Sequence, residues 1–526
     1  MRPAGVAPSD AGAPGPGEAR LLASGALVQG IAQAGGLFVL LVIVTVLARE
    51  LTVAELGAYG LVVSLAGYLL VLRNSVANSA VRAMAAAAGE ERARMFSATA
   101  VLYAAVGVAT GLLIAGAALA IAAFILSGAL ADDARAGGLG LAAVTAAGIP
   151  ATVWLDGLRA ERRFVLAASM EILAVTLQLA VMLTLIFAGA DLSVLIAVAG
   201  AIPLFSGTLC FAAVRRLGRR RSASPGVGGT PGTDYPLRLT FAGATRARVM
   251  AIVPTAGWLL VVELCNLAMY ASSRVILGAY RDATTVGRFE GPVRAHNLLY
   301  ALAGALAVPV VPTASRYVSA GDQRRLRDLV VRGTRYTLAL FVPLCVTLMA
   351  LAEPIVEVWL GARYTDGATA LTILVSYWLL YGGLVVTPGF LVGAGRAREV
   401  ALIVMAVATA NLVLALVLTP ELGLKGPALA TAIPFVLAFP AMLALGLRTG
   451  GGVSVRELAR QAWLPAYGLG TVLAAALVAL RLAADPETLP AVLTAAVGGV
   501  LAFWLAFFVL VLEPSERALA AGLLRR

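Results

Sequence analysis

The chemistry available to this sequence lies in polar side chains that interrupt long apolar stretches. One stretch holds Glu263, Asn266, Tyr270 and Arg274, which share a stripe about 80° wide at ~100° per helical residue. The next holds Glu290, Arg294 and Asn297 on one helical face, with His296 off it. Earlier in the chain Gln29 and Gln33 lie one turn apart, Arg73, Asn74 and Asn78 cluster, and Glu171 and Gln178 share a face. A charge at the centre of a membrane-spanning helix costs about 2.5–3.5 kcal/mol on insertion scales, so such groups face a cavity or a partner. Arginine suits a diphosphate, because its planar fork donates paired hydrogen bonds and keeps its charge when buried. Arg294 lies deepest and is the strongest candidate phosphate ligand, with Arg274 and Arg73 beside it. Amides suit sugar hydroxyls, and Asn266, Asn297, Gln29, Gln33 and Asn74 supply them. Glu263, with Glu290 second, is the candidate for ion coupling, being a carboxyl set in apolar surroundings. Blander readings stand beside these. Glu290 and Arg294 fit an i,i+4 ion pair, and Arg274 and Arg73 lie near run ends, where arginines snorkel to headgroups. A Glu263–Arg274 contact is disfavoured, since eleven residues separate them by about 16 Å along a helix.

The elements that carry these residues follow from composition. Of 526 residues, 60% are apolar and 13% charged, with mean hydropathy +0.92. A soluble chain is about 45–50% apolar and about 25% charged, so an ordinary soluble enzyme, a disordered chain and a disulfide scaffold are all excluded. The expected class is an all-α integral membrane protein. Apolar runs near 21–47, 56–78, 96–127, 138–157, 164–188, 193–214, 249–273, 287–312, 330–353, 370–392, 398–419, 426–447, 461–481 and 490–512 give about 14 transmembrane helices, each of roughly 20 residues. The run at 96–127 is long enough to hide a break.

Charge supports this count. Net charge is +12, and Lys425 is the only lysine. With the N-terminus inside, thirty of the 40 basic residues fall in inside segments and eight in outside loops, with Arg73 and Arg294 within helices. That is the positive-inside pattern, with both termini cytoplasmic. Topology therefore accounts for the arginines without nucleic acid. Cys210, Cys265 and Cys345 are far apart in apolar runs, which argues against a disulfide framework. His296 is the single histidine, so no metal site is expected.

Residues 1–20 read as a disordered cytoplasmic tail. A six-helix lobe follows over 21–217, then a Gly/Pro/Ser-rich inside linker over 218–247, a second six-helix lobe over 248–448, and two extra C-terminal helices over 449–526. The arginines that precede the linker (Arg215, Arg216, Arg219, Arg220, Arg221) act as a topology anchor or meet anionic lipid heads. Gly321 to Tyr336 reads as a basic amphipathic helix on the inner surface. A faint repeat relates the lobes: Gly57 and Tyr59 match Gly287 and Phe289 at an offset of 230. Six helices per lobe give a parallel repeat, an arrangement in which transporters place the substrate path between the halves.

Four stretches resemble Wzx-type polysaccharide flippases of the multidrug/oligosaccharidyl-lipid/polysaccharide (MOP) exporter superfamily. They are LARELTVAELGAYGLVVSL at 47–65, VPTASRYVSAGDQRRLRDLVVRGTRYTLALFVP at 311–343 (with Pro312, Ser315, Gly321 and Asp322), LAEPIVEVWLGARYTDGATALTIL at 351–374 (with Pro354, Trp359, Gly361 and Tyr364) and FLVGAGRAREV at 390–400. The resemblance spans the first twelve helices. It implies two six-helix lobes around a central cavity that opens alternately to each side. It further implies flipping of an undecaprenyl-diphosphate-linked oligosaccharide to the outer leaflet of a bacterial cytoplasmic membrane. Such substrates feed surface polysaccharides such as lipopolysaccharide O-antigen, with a proton or sodium gradient as driving force, membrane lipids as surroundings and other polysaccharide-assembly proteins as partners. Two departures stand out. Where such proteins often carry an acid near the outer end of helix seven, this chain reads Ser272, Ser273, Arg274. The N-terminal pattern of the lipid II flippase branch is also absent.

Other classes compete. A drug antiporter of the same superfamily favours an acidic cavity, against the arginines here. A membrane glycosyltransferase or polymerase needs a large outside loop, and the longest here are about 13–16 residues. A non-transporting assembly scaffold is a further reading. No GxxxxGK[ST], GxSxG or HExxH occurs, so neither enzymatic activity nor a cofactor is expected.

Overall fold

A computed structural model describes residues 41–222, 244–252, 257–307, 309–484, 486–514 and 516–517, with isolated residues 35, 36, 39, 237 and 239. The described residues are helical almost throughout. Helix α1 covers 41–50 and hands over to α2 (Val53–Ala86) through a two-residue turn. That junction is a capping box: Thr52 Oγ1 accepts from the Glu55 N–H, and Glu55 Oε2 accepts from the Thr52 N–H at 2.7 Å. The helices α3 (Gly89–Phe124), α4 (Gly128–Ala151), α5 (Val153–Ala160), α6 (Phe164–Phe187), α7 (Leu192–Val198) and α8 (Ile202–Ser222) follow. The run at 96–127 hides no break, because α3 is continuous over 36 residues. Breaks fall elsewhere. Pro150 lies at the α4–α5 joint, where a missing N–H interrupts the ladder, and α7 and α8 meet at 49°.

The second set comprises α9 (Arg246–Ile252), α10 (Gly257–Tyr280), α11 (Ala283–Ala307), α12 (Val310–Ser319), α13 (Gln323–Ala350), α14 (Ala352–Leu360), α15 (Gly367–Tyr381), α16 (Val386–Gly393), α17 (Ala397–Leu422) and α18 (Lys425–Thr449). Two more helices close the chain: α19 (Val455–Leu458), which runs through a π turn (Ala459–Trp463) into α20 (Leu464–Ala484), and α21 (Leu489–Leu510). The basic stretch that begins at Gly321 does not form a separate surface helix. It is the start of the 28-residue α13, which Asp322 caps by accepting from the Arg325 N–H. The predicted linker's first residues continue α8 as far as Ser222, and most of the rest lies outside the described residues.

Among the described residues, ten helices are long and apolar enough to cross a membrane, or eleven when the bent α7–α8 pair is one span. The runs at 21–47, 56–78 and 249–273 fall on helices described only in part. Exposed apolar side chains such as Leu112, Phe124, Val417, Leu437 and Leu505 stud the outside of the bundle, as expected where lipid is the solvent. Helices α2 to α8 pack with one another, as do α10 to α18, and α2 joins the two sets by packing on both α10 and α11.

Candidate functional site

The site grows from the crossing of α2 and α11, which both start at the predicted outer face. A Cβ on Gly57 would overlap the Ala283 carbonyl, and a Cβ on Gly287 would overlap the Val53 carbonyl. Val53 and Ala283, like Gly57 and Gly287, are 230 positions apart. The contact is thus reciprocal, as in a two-fold interface where i meets j and j meets i. One turn deeper the repeat breaks: Gly60 stands at the position equivalent to Glu290, and a Cβ there would run into the Glu290 carboxylate. A glycine on one copy makes room for an acid on the other.

Glu290 is 1% exposed and holds two guanidiniums. Arg274 Nε on α10 donates to Oε1 at 2.5 Å, and Arg294 Nε donates to Oε2 at 3.1 Å. Arg274, at 1% exposure, does not snorkel to the headgroups. The i,i+4 pair is present, and Arg274 joins it on the same carboxylate to make a triad. Arg274 and Glu290 are buried and Arg294 is nearly so, and removing the shared carboxylate would leave charge buried without it.

A second buried cluster lies toward the predicted inner side. Asp156, fully buried, was not among the sequence candidates because it sits at the end of its apolar run. Arg73 donates to its Oδ2 at 2.5 Å and to Thr152 Oγ1 at 3.1 Å. The Tyr103 hydroxyl donates to Asp156 Oδ2 at 2.7 Å, and Arg159 bridges Asp156 to Glu171. Arg73 and Arg159 meet Asp156 and Glu171 in a network that ties α2, α3, α5 and α6 together. Helix spacing within one segment could not reveal it, because its members come from four.

A third feature is an aromatic cavity of about 240 Å³ between α10, α11, α15, α17 and α18. Asn266 lines it, with Tyr270, Tyr300, Tyr377, Trp378, Tyr381 and Phe435. Tyr377 stacks on Phe435 at 4.7 Å, and His296 Nε2 lies 2.7 Å from the Tyr377 hydroxyl.

The remaining sequence candidates are dispersed. Asn74 is exposed and accepts from Arg73 NH1 at 3.2 Å. Asn297 is half-buried, with Oδ1 3.4 Å from His296 Nδ1. Gln29 and Gln33 lie outside the described residues, and Glu263 falls on α10 with its side chain outside the description. Gln178 is buried and donates to the Val198 carbonyl, beside the α7–α8 bend. Among the described residues no group of three metal-ligating side chains occurs.

Two of the sequence stretches that carry the family resemblance meet at the predicted outer face. Trp359 Nε1 donates to Thr45 Oγ1 at 2.7 Å, Tyr364 OH donates to the Ala48 carbonyl at 3.3 Å, and Arg363 donates to the same carbonyl. Arg49 returns a bond to the Val358 carbonyl. These donors satisfy carbonyls that the end of α1 leaves unpaired. Gly361 turns the chain between them at φ +106°, a conformation that glycine adopts freely. This latch and the α2–α11 crossing hold the helices together at the predicted outer face.

Residues 233–369 match the model of a polysaccharide biosynthesis protein family, a span that contains α10, α11 and the latch residues Trp359, Gly361, Arg363 and Tyr364. An uncharacterized membrane protein, EpsK, of Bacillus subtilis is 28% identical over 159 residues, 30% of this chain and 31% of its own length. A probable low-salt glycan biosynthesis flippase, Agl15, of Haloferax volcanii is 22% identical over 162 residues, 31% of this chain and 34% of its own. The chain thus aligns with about a third of each relative. In fold it is similar to the lipid II flippase MurJ in an inward closed conformation, with TM-score 0.66 and 15% identity over 92% of this chain and 98% of that one. It is similar also to an inward-facing multidrug resistance MATE transporter of the MOP superfamily, with TM-score 0.63 and 16% identity over 81% of this chain and 98% of that one. The chain is thus similar in sequence, over part of its length, to a polysaccharide biosynthesis family and to a probable glycan flippase, and in fold to a lipid flippase and a multidrug transporter.

Proposed function

We propose, from that resemblance, that this protein flips a lipid-diphosphate-linked oligosaccharide from the inner to the outer leaflet by alternating access, for assembly of a cell-surface polysaccharide. The observation that carries the reading is the Arg274–Glu290–Arg294 triad. Two guanidiniums, Arg274 and Arg294, meet Glu290 inside an apolar bundle at the α2–α11 crossing. A diphosphate accepts the paired N–H donors that an arginine fork presents. Arg294 is the phosphate contact, and Glu290 holds both arginines in place. Arg73 serves the inner end of the path, and Asn266, Asn297, Gln29, Gln33 and Asn74 serve the sugars. Two lobes enclose the path, fourteen helices span the bacterial cytoplasmic membrane, and both termini are cytoplasmic. The carrier is undecaprenyl diphosphate, and a proton or sodium gradient acts through Glu263.

A cationic drug would meet guanidiniums at the triad, which disfavours the multidrug antiporter reading despite the shared fold. The test is flipping of a fluorescent undecaprenyl-diphosphate oligosaccharide in proteoliposomes, with and without an imposed pH gradient. Flipping that the gradient accelerates and that Arg294→Ala abolishes, in a protein that still inserts, is the expected result. Flipping unchanged in Arg294→Ala would remove the phosphate role, and no flipping of any glycan tried would reopen the antiporter reading.

A further inference from the structure

The faces that bring α2 and α11 together at one end leave them apart at the other. On α2, Gly67 and Asn74 lie within about 40° of Gly60 at ~100° per helical residue. Both are exposed, and a Cβ on Gly67 would meet nothing within 4 Å. On α11, Leu298 and Ala305 lie within about 20° of Gly287 by the same count, and both are exposed. The helices therefore splay toward the predicted inner side and leave a gap between them. The Asp156 cluster stands beside this gap and repeats the plan of the triad. Asp156 Oδ2 accepts from Arg73 and Oδ1 from Arg159, as Glu290 Oε1 accepts from Arg274 and Oε2 from Arg294. Arg159 has a second carboxylate in Glu171, whereas Asp156 is the one carboxylate paired with Arg73 among the described residues. Arg73 is held at three points: Nε donates to Thr152 Oγ1 at 3.1 Å, NH2 to Asp156 Oδ2 at 2.5 Å and NH1 to Asn74 Oδ1 at 3.2 Å. Its fork thus runs from a fully buried carboxylate to a side chain on the gap face of α2. The guanidinium carries N–H groups beyond these three, and the side chain keeps 11% exposure.

We propose that Asp156 is a positioning residue that holds Arg73 at the edge of the gap, as the contact that takes the lipid diphosphate at the inner leaflet before Arg294 takes it. The proposal rests on the flippase reading and adds to it a residue and an order of contacts. Distance gives the order. Gly60, which abuts Glu290, and Arg73 are thirteen residues apart on α2. That is about 20 Å along the axis, in a hydrocarbon core about 30 Å thick. One diphosphate is far shorter and meets one cluster at a time. Chemistry gives Asp156 its part. An arginine binds phosphate through paired N–H donors whose direction matters, and a long side chain left loose at a cavity wall loses rotamer freedom when a ligand fixes it. The carboxylate on NH2 and the Thr152 hydroxyl on Nε fix the plane of the fork in advance. A brace between α2 and α5 alone would have no use for the further bond to exposed Asn74.

The test is the flipping rate of the fluorescent undecaprenyl-diphosphate oligosaccharide in proteoliposomes of the full-length protein, titrated as its mole fraction in the lipid. Asp156→Asn keeps the shape and removes the charge. Thr152→Val removes the acceptor for Arg73 Nε and leaves every carboxylate with its arginine, so it reads aim in a protein whose ion pairs are intact. Asp156→Asn should raise the half-saturating mole fraction about tenfold, the worth of one charge-assisted hydrogen bond, with a smaller change in maximal rate. Thr152→Val should raise it by less, in the same direction. In an Arg73→Ala background Asp156→Asn should raise it no further, because its effect runs through Arg73. Half-saturating values that stay at the wild-type level in Thr152→Val and in Asp156→Asn would overturn the proposal. So would an undiminished rise in the Arg73→Ala background, or a loss of maximal rate alone that tracks a lower melting midpoint, which would make the cluster a brace within its lobe. Should Asp156→Asn fail to insert, Thr152→Val decides by itself, with and without Arg73→Ala. A wild type that flips no glycan tried is a different failure: it would sink the flippase reading, and this proposal with it.

Discussion

Replacing Gly57 by alanine tests the α2–α11 crossing. The added Cβ would overlap the Ala283 carbonyl oxygen and would lie 2.8 Å from both the Ala283 carbonyl carbon and the Gly287 nitrogen, where 3.4–4 Å is ordinary contact. All three are backbone atoms and cannot rotate aside, so the helices themselves must part. A radial gap of about 0.5–1 Å forfeits a quarter to a half of the contact energy along the seam. Overpacking of this kind costs about 1–3 kcal/mol, which is a factor of about 5 to 150 in the ratio of closed to parted crossing. The assay labels a single cysteine placed at Ala58, which is fully buried beside the crossing. Cys210, Cys265 and Cys345 are first replaced by alanine, and a membrane-impermeant maleimide is added from outside. Gly57→Ala should raise the labelling rate by that factor, and Gly287→Ala should do the same through the Val53 carbonyl. The double variant should gain less than the product, because both side chains act on one separation. If neither substitution changes labelling or flipping in a protein that inserts normally, the crossing is not the closed outer face and the argument from the repeat fails.

Two further outcomes follow from the charge clusters. Glu290→Gln leaves Arg274 and Arg294 buried without their carboxylate, and stability should fall by about 3–5 kcal/mol, read as a lower melting midpoint in detergent. A midpoint that does not move would free Glu290 for ion coupling. At the predicted inner surface, outside the apolar runs, Arg248 donates to Glu91 at 2.8 Å and holds its carboxyl below the ordinary range, against a smaller upward push from burial. The folded-state pKa is depressed, so the contact's contribution is full above the ordinary carboxylate value of about 4.3 and is lost as pH falls through the lower one. Spin labels on α3 and α9 should therefore show their distance distribution broaden in acid, and Glu91→Gln should show the broad distribution at every pH.

The sequence made much of this legible where the signal is local. Apolar runs mark the spans because a lipid-facing helix must be apolar along its length. The pairing of Glu290 with Arg294 is readable at i,i+4. The offset of 230 shows which residues are equivalent, though not that equivalents touch. What escaped is non-local. Asp156 draws Arg73 from α2 and Tyr103 from α3, with Arg159 linking it to Glu171 on α6, and no period within one run brings these residues together. The aromatic cavity escaped for the same reason: Tyr270, Tyr300, Trp378 and Phe435 sit on four helices, each alone an ordinary apolar-face aromatic.

The departure from family expectation near Arg274 gains a physical sense from the crossing. An acid was expected on helix seven, and the chain carries Arg274 in that zone. The acid that Arg274 meets is Glu290, on the next helix, at the position where the other repeat has Gly60. A glycine at both positions would take away the carboxylate that Arg274 and Arg294 share, and an acid at both would crowd two carboxylates into one gap, where like charges repel. The asymmetry of one glycine and one glutamate lets two symmetric helices cross at backbone distance while burying a charged triad between them. The triad then lies one turn from the glycines of the crossing, so the charge cluster and the backbone contact sit on the same two helices, α2 and α11.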